Sequence, residues 1–270
     1  MSEVGSKVAV VTGGASGIGL AIAERLLADG LQVMIADIEA ASLKASAERI
    51  GAAAHVTDVS SQSSMQALAD AVMAQFGRVD LVCINAGVGS SAPIADMTRS
   101  DWDWMLGVNL FGLVNGVHAF LPLLEATGGH LAVTTSVAGF HVTPGLGGYC
   151  VTKFAATAYC ETLAMELEAK GSTVGVTVLC PGPVSTRLGS SHRNRPAALG
   201  AGALRDANLE QSEDGATLRW MPPAQAADLL MRAIADRQFY AFTHGEFAGE
   251  VYDRHERIRQ GFDWLSEKEG

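Results

Sequence analysis

The sequence predicts an α/β fold, a doubly wound parallel sheet with helices on both faces, in a single domain spanning residues 1–270, and three observations carry that expectation. From Lys7 to about residue 180, short β-branched runs alternate with amphipathic stretches of helix length, the signature of repeated βαβ units. The strand runs are almost continuously apolar, as strands covered on both faces must be. With 270 residues, 48% of them apolar and 18% charged, the chain suits one sizeable core.

The elements follow in order. VAVVT (8–12) runs into a glycine cluster, and helical periodicity then covers 18–29. QVMIA (32–36) leads to a helix at 39–50, AAHV (53–56) to one at 62–76, and LVCIN (81–85) to one at 99–126. HLAVTTS (130–136) precedes a helix at 149–170, and VGVTVL (174–179) is the sixth strand. A helix at 223–236 and a short strand at 239–243 complete the pattern. Residues 185–222 interrupt it with Ser, Gly, Arg, Asn and Pro in no clear period. An insertion of that length is usually functional, and its place beside the expected ligand cleft makes it a substrate lid, with a surface loop as the alternative.

Composition narrows the partners. A net charge of −10 disfavours phosphate backbones, so no nucleic acid is expected. Cys83, Cys150, Cys160 and Cys180 form no CxxC and have no nearby His pattern, which points to reduced core thiols and no metal site. No signal h-region precedes the glycines, and the longest apolar tract carries Asn115, His118 and Pro122. A cytoplasmic chain with no membrane partner is therefore expected.

After the first strand comes Thr12-Gly13-Gly14-Ala15-Ser16-Gly17-Ile18-Gly19. Glycines let the chain turn sharply into a helix, and the exposed N–H groups of that helix start suit a pyrophosphate. This is a Rossmann-type arrangement. Asp37, eighteen residues beyond Gly19, can accept hydrogen bonds from the adenosine ribose hydroxyls, or can simply cap the next helix. A ribose 2′-phosphate would meet Asp37, with Glu39 nearby, and no Arg or Lys lies in 36–43 to offset them. At an effective dielectric near 20 that repulsion is several kcal/mol before screening, roughly, so NAD is preferred and NADP is the less favoured cofactor.

The glycine spacing, with Asn85-Ala86-Gly87, Asn109, Ser136, Tyr149, Lys153 and Pro181-Gly182, resembles the short-chain dehydrogenase/reductase family over residues 7 to about 187. The resemblance implies that Gly13, Ser16, Gly17, Ile18 and Gly19 surround the cofactor phosphates, Asp58 and Val59 hold the adenine, and Asn85, Ala86 and Gly87 line the adenosine-ribose side. It further implies that Pro181, Gly182, Val184 and Thr186 bracket the nicotinamide, and that Asn109 positions a water linking Lys153 to solvent. Ile84 departs from the family, which usually has Asn there. Family likeness also implies a homotetramer or homodimer.

Tyr149 and Lys153 lie four residues apart at the start of an expected helix, so they project from one face. A free tyrosine has a pKa of about 10, and burial raises it. A lysine ammonium about 5 Å away, at an effective dielectric near 20, favours phenolate by roughly 3 kcal/mol, or about two pH units. The lysine is expected to win and bring Tyr149 into a useful range for proton exchange. Ser136 ends the fifth strand, where open α/β sheets place ligands, and its hydroxyl can donate to a substrate oxygen. The expected reaction is hydride transfer between a nicotinamide and a secondary alcohol or ketone.

The candidate pocket wall is Val88, Gly89, Ala138, Gly139, Phe140, His141, Val142, Leu146 and Leu188, mainly small and apolar, which favours a hydrophobic substrate. His141 is either a substrate-facing group or a wall residue, and His118 a helix-packing residue. The segment from Trp102 to Leu110 is similar to relatives acting on bulky aryl or cyclic carbonyls. Helices 99–126 and 149–170 carry a second apolar face, including Phe111, Val114, Phe120, Ala155, Ala158, Leu163 and Leu167, which points to subunit packing. Three alternatives stay open: an NADP(H)-preferring carbonyl reductase, a nucleotide-sensing protein without chemistry, and an epimerase or dehydratase with retained NAD.

Overall fold

The computed structural model describes residues 6–207, 210 and 217–269. Seven parallel strands form one sheet in the order β3-β2-β1-β4-β5-β6-β7. They are β1 (Val8–Thr12), β2 (Gln32–Asp37), β3 (Ala53–Val56), β4 (Leu81–Ile84), β5 (His130–Thr134), β6 (Gly175–Cys180) and β7 (Tyr240–Phe242). Every predicted strand is present, within two residues at each end. The largest difference is at β5, which stops at Thr134 and leaves Ser136 two residues beyond it, capping a short 3₁₀ turn at Val137–Gly139.

Helices cover both faces: α1 (Gly17–Ala28), α2 (Ala40–Ile50), α3 (Gln62–Phe76), α4 (Arg99–Leu106), α5 (Gly112–Thr127), α6 (Gly147–Ala169), α7 (Pro223–Ala235) and α8 (Ala248–Glu269). One face buries Ile22, Leu26, Ile35, Leu43 and Leu230 beneath α1, α2 and α7. The other buries Met65, Leu68, Leu113, Phe120, Leu124 and Cys160 beneath α3, α5 and α6. The four cysteines are buried and free.

The helix expected at 99–126 is broken into a wider turn. Between α4 and α5, Gly107–Phe111 form a π segment in which the Gly112 N–H reaches back to the Gly107 carbonyl. Such segments cluster at functional sites, and Asn109 sits inside this one. The whole run Arg99–Thr127 is long and apolar enough to cross a membrane, but α5 packs on α3, β4 and β5 as a core helix. Phe120, Leu163 and Leu167 belong to that core, so they drop out of the expected second apolar face. Phe111 remains exposed, Val114 and Ala155 are half-buried, and Ala158 is exposed. His118, expected to pack, is exposed because it points away from the sheet.

α8 was not anticipated. Its apolar residues Val251, Ile258, Phe262 and Leu265 recur at helical spacing, but Arg, Asp and Glu interleave them and give the segment a polar mean character. Arg254 of α8 lies over the Phe154 ring of α6 at 4.8 Å.

Candidate active site

β1 connects outward to β2 and β3, whereas β4 returns to the other side of β1. The carboxyl ends of β1 and β4 therefore open a crevice, the place where sheets of this kind bind ligands. After β1 the chain turns through Gly13, at φ +65, into α1. A Cβ on Gly13 would meet the Ala86 Cα at 2.8 Å, and one on Gly19 would meet the Gly13 carbonyl oxygen at 2.2 Å. These two glycines seat the turn against β4 and the helix against the turn. Gly17, at φ +57, faces Thr186, whose Cγ2 lies 3.1 Å from where a Cβ would stand. Ser16, the N-cap of α1, makes no side-chain cap hydrogen bond, so the first turn presents its amides outward. This cradle fits a pyrophosphate.

Asp37 ends β2 and is held there: Oδ2 accepts from the Ala15 N–H at 3.1 Å and Oδ1 from the Glu39 N–H at 3.0 Å. Beyond it, Ile38 and Asp58 line a cavity of about 280 Å³ with Trp104, Val108, Asn194, Pro196 and Leu199. Asp58 is locked by Ser60, whose N–H and hydroxyl both donate to Oδ1. Val59 is buried against Gly112 of α5, so its side chain faces the core rather than this cavity.

Asn85 is turned inward. Its Nδ2 donates to the Thr12 carbonyl at 3.1 Å, its Oδ1 accepts from Thr134 Oγ1 at 3.0 Å, and its own N–H donates to Thr12 Oγ1 at 3.0 Å. The side chain thus clamps β1, β4 and β5 together. The Ala86 N–H also donates to Thr12 Oγ1, and Gly87 adjoins both Asn109 Oδ1 and Lys153 Nζ, 3.4 and 3.6 Å from where its Cβ would be.

Tyr149 and Lys153 both lie in α6, with Nζ 5.5 Å from the Tyr149 ring centroid. Both are buried, and Lys153 Nζ donates to the Thr134 carbonyl at 3.2 Å. Burial pushes the Tyr149 phenol up to about 12, opposed by a hydrogen bond with Ser136. Burial also lowers Lys153 to about 8. The expectation that the ammonium would pull the phenol down is therefore overturned, because desolvation disfavours the charged form of both groups. Ser136 Oγ donates to the Pro181 carbonyl at 3.2 Å and accepts from the Ala138 N–H at 3.1 Å.

The Asn109 side chain is fixed entirely within the protein. Oδ1 accepts from the Val88 N–H at 2.8 Å, while Nδ2 donates to the Val88 carbonyl and to Thr152 Oγ1, both at 3.0 Å. The side chain ties the loop after β4 to α6, and its donors are spent on those partners. Across the crevice, Pro181 is buried and the Gly182 N–H donates to Thr243 Oγ1 at 3.0 Å. Val184 bridges to Met221, and Thr186 Oγ1 accepts from the Leu188 N–H. His244, absent from the sequence reading, packs under Gly182, its ring within 2.7 Å of a Cβ there.

Of the expected pocket wall, Val88 and Ala138 are buried in one cluster with Tyr149, Trp104 and Leu204, with Leu146 packed against it. Leu188 packs on Gly89. Val142 is 63% exposed and stands on the rim. His141 stacks on Phe247 at 5.5 Å, and burial lowers its pKa.

The described part of the 185–222 segment is packed onto the domain. Arg195 and Asp101 form an ion pair at 2.8 Å with side chains 4% and 0% exposed. Asp101 also accepts from the N–H groups of Ala203 and Thr98, and burial alone would raise its pKa, but these bonds and Arg195 hold it below the usual carboxylate range. Residues 208, 209 and 211–216 of the expected lid lie outside the described residues. Thr98 and Asp101 form a capping box at the start of α4, and that spacing was available as a signal in the sequence.

Residues 7–197 match the model of a family described as short chain dehydrogenase. A CLA biosynthesis dehydrogenase/reductase of Lactiplantibacillus plantarum is 30% identical over 96% of this chain and 95% of its own. Among solved structures, a short-chain dehydrogenase/reductase of Burkholderia phymatum in complex with NAD has a TM-score of 0.87 and 35% identity, covering 97% of each chain. An alcohol dehydrogenase of the archaeon Thermococcus sibiricus complexed with 5-hydroxy-NADP has a TM-score of 0.72 and 29% identity, covering 88% of this chain and 95% of that one.

Proposed function

The chain belongs to the short-chain dehydrogenase/reductase family, and from that premise we propose that it interconverts a hydrophobic secondary alcohol and its ketone with NAD(H), Tyr149 exchanging the proton. One observation carries the proposal: Ser136, Tyr149 and Lys153 converge beside the crevice between β1 and β4, among buried apolar side chains. The nicotinamide, when bound, supplies or accepts the hydride.

Gly13, Ser16, Gly17, Ile18 and Gly19 would hold the pyrophosphate, Asp37 the adenosine ribose, and Ile38 and Asp58 the adenine. The backbone of Val59 and of Asn85 to Gly87 would line that side, and Pro181, Gly182, Val184 and Thr186 the nicotinamide end. In the reduction direction Tyr149, kept protonated by burial, donates its proton to the carbonyl oxygen. Ser136 turns its hydroxyl from the Pro181 carbonyl to the same oxygen and steadies the charge that develops there. Lys153, lowered to about 8, can change protonation near neutral pH and return a proton toward Tyr149. Asn109 is a positioning residue that fixes the Val88 loop against α6.

Val88, Ala138, Leu146 and Leu188 support an apolar substrate, with His141 and Val142 nearer the rim. The 185–222 segment would act as the lid. The outward apolar residues Phe111, Val151 and Met165 support self-association as a homodimer or homotetramer, and buried free thiols accord with the cytoplasm. Following reduced-nicotinamide absorbance over a panel of alcohols and ketones, with both cofactors, tests the proposal. Net turnover with apolar ketones is expected. Binding without turnover would favour a nucleotide sensor, and product without net redox an epimerase or dehydratase.

A further inference from the structure

Glu39 shares one turn with Asp37, since its N–H donates to Asp37 Oδ1 at 3.0 Å. Its carboxylate, however, faces the lid segment. Glu39 Oε1 accepts from Arg193 Nη2 at 2.8 Å, from Arg193 Nε at 3.1 Å and from Asn194 Nδ2 at 3.0 Å. Arg187 Nη2 lies 3.6 Å from Oε2. Arg193 is fixed from behind, its Nη1 donating to the carbonyls of Arg187 and Ser190. Asn194 also lines the cavity beside Ile38 and Asp58, so this contact closes the lid over the adenosine end of the crevice.

The charge at that rim differs from what residues 36–43 imply. Glu39 alone stands against Arg187 and Arg193, while the Asp37 carboxylate accepts from the Ala15 and Glu39 N–H groups. The repulsion that Glu39 would add is therefore largely offset, and Asp37 carries the unpaired negative charge where the ribose hydroxyls would sit. Guanidinium is also the side chain best shaped to take phosphate oxygens in pairs. A rim with its guanidiniums unengaged would welcome a ribose 2′-phosphate.

Resting on the NAD reading above, we propose that Glu39 is a cofactor-specificity residue. By holding Arg193 and Arg187, it withholds them from a 2′-phosphate beside Asp37. A phosphate at that position must first displace Glu39 from both arginines, whereas a ribose bearing only hydroxyls leaves the pairing intact. The lid thus takes part in choosing the cofactor, through contacts more than a hundred residues apart in sequence.

Fluorescence titration of the full chain with NADH and with NADPH tests this without any substrate. The variants are Glu39→Gln, the double Arg187→Gln/Arg193→Gln, and the triple combining all three. Glu39→Gln keeps the shape of the side chain and an amide oxygen for Asn194. It is expected to tighten NADPH at least about ten-fold while NADH changes less than about three-fold, with retained NADH binding reporting the fold. The triple variant should lose that gain, and the double variant alone should gain nothing. If Glu39→Gln leaves NADPH unchanged, or if the gain survives removal of both arginines, the proposal fails while the NAD reading stands. If the wild-type chain already binds NADPH as tightly as NADH, the NAD reading itself fails and this proposal with it.

Discussion

The glycine turn after β1 and the segment after Thr186 face each other across one crevice, yet they are held by different balances of contact. The turn is a backbone assembly: Gly13 and Gly19 touch Ala86 and each other so closely that a methyl group has no place, and Asn85 and Thr12 stitch the strand ends together. The proposed lid segment is held partly by side-chain charges, Asp101 with Arg195 and Glu39 with Arg193, beside a backbone bridge between Ser91 and Arg205 and the buried Leu204. Main-chain packing makes a fixed cradle for a common cofactor, whereas ion pairs that single substitutions can release carry more of the hold on the opposite segment. The two halves should therefore answer differently to mutation.

The largest effect is expected at the lid's buried pair. Asp101→Ala strands the Arg195 charge and removes the carboxylate half of the α4 capping box, a loss of about 3–5 kcal/mol for a broken buried pair. Hydrogen exchange should rise on the order of a hundred-fold at residues 188–207 while amides of β1 and α1 keep their protection. Equal loss in both regions would erase the contrast.

On the sheet side, Lys153 places an ionisable amine among buried side chains. Its pKa is depressed from 10.5 to about 8, so the folded chain carries a buried-charge cost below pH 8 that fades as pH rises toward 10.5. Lys153→Met should raise unfolding free energy by about 3 kcal/mol at pH 6–7, less the lost hydrogen bond to Thr134, and by little near pH 10.5. Denaturant titration at several pH values reads this; a pH-independent difference would deny the buried charge.

Gly19→Ala forces a Cβ against the Gly13 carbonyl and should cost about 1–3 kcal/mol in global stability, seen as a lower thermal midpoint with weakened NADH binding. Arg193→Gln, by contrast, removes a partly exposed pair and should change stability by less than about 1 kcal/mol. A larger stability loss at Arg193 than at Gly19 would reverse the assignment of rigid and releasable halves.

The sheet and the Tyr149–Lys153 pair were legible because they rest on local periodicity. Val8–Thr12, Gly13–Gly19 and the four-residue spacing in α6 each declare themselves within a dozen residues. The π turn around Asn109 was hidden, since a five-residue widening leaves helical patterning nearly unchanged. The contacts of Glu39 with Arg193 and of Asp101 with Arg195 were invisible for another reason: nothing in a linear pattern says which charges far apart in sequence meet in the fold. The phenol's direction of shift was misjudged because burial depends on the finished core, which includes Leu204 from the lid cluster.

The central claim, that the Tyr149 hydroxyl delivers the proton, is tested most directly by comparing Tyr149→Phe with the wild type in single-turnover ketone reduction alongside NADH titration. The ring is kept and only the hydroxyl is lost. NADH affinity should stay within about three-fold while the rate falls at least about a hundred-fold. A rate within about ten-fold of wild type, with NADH bound normally, would contradict the account.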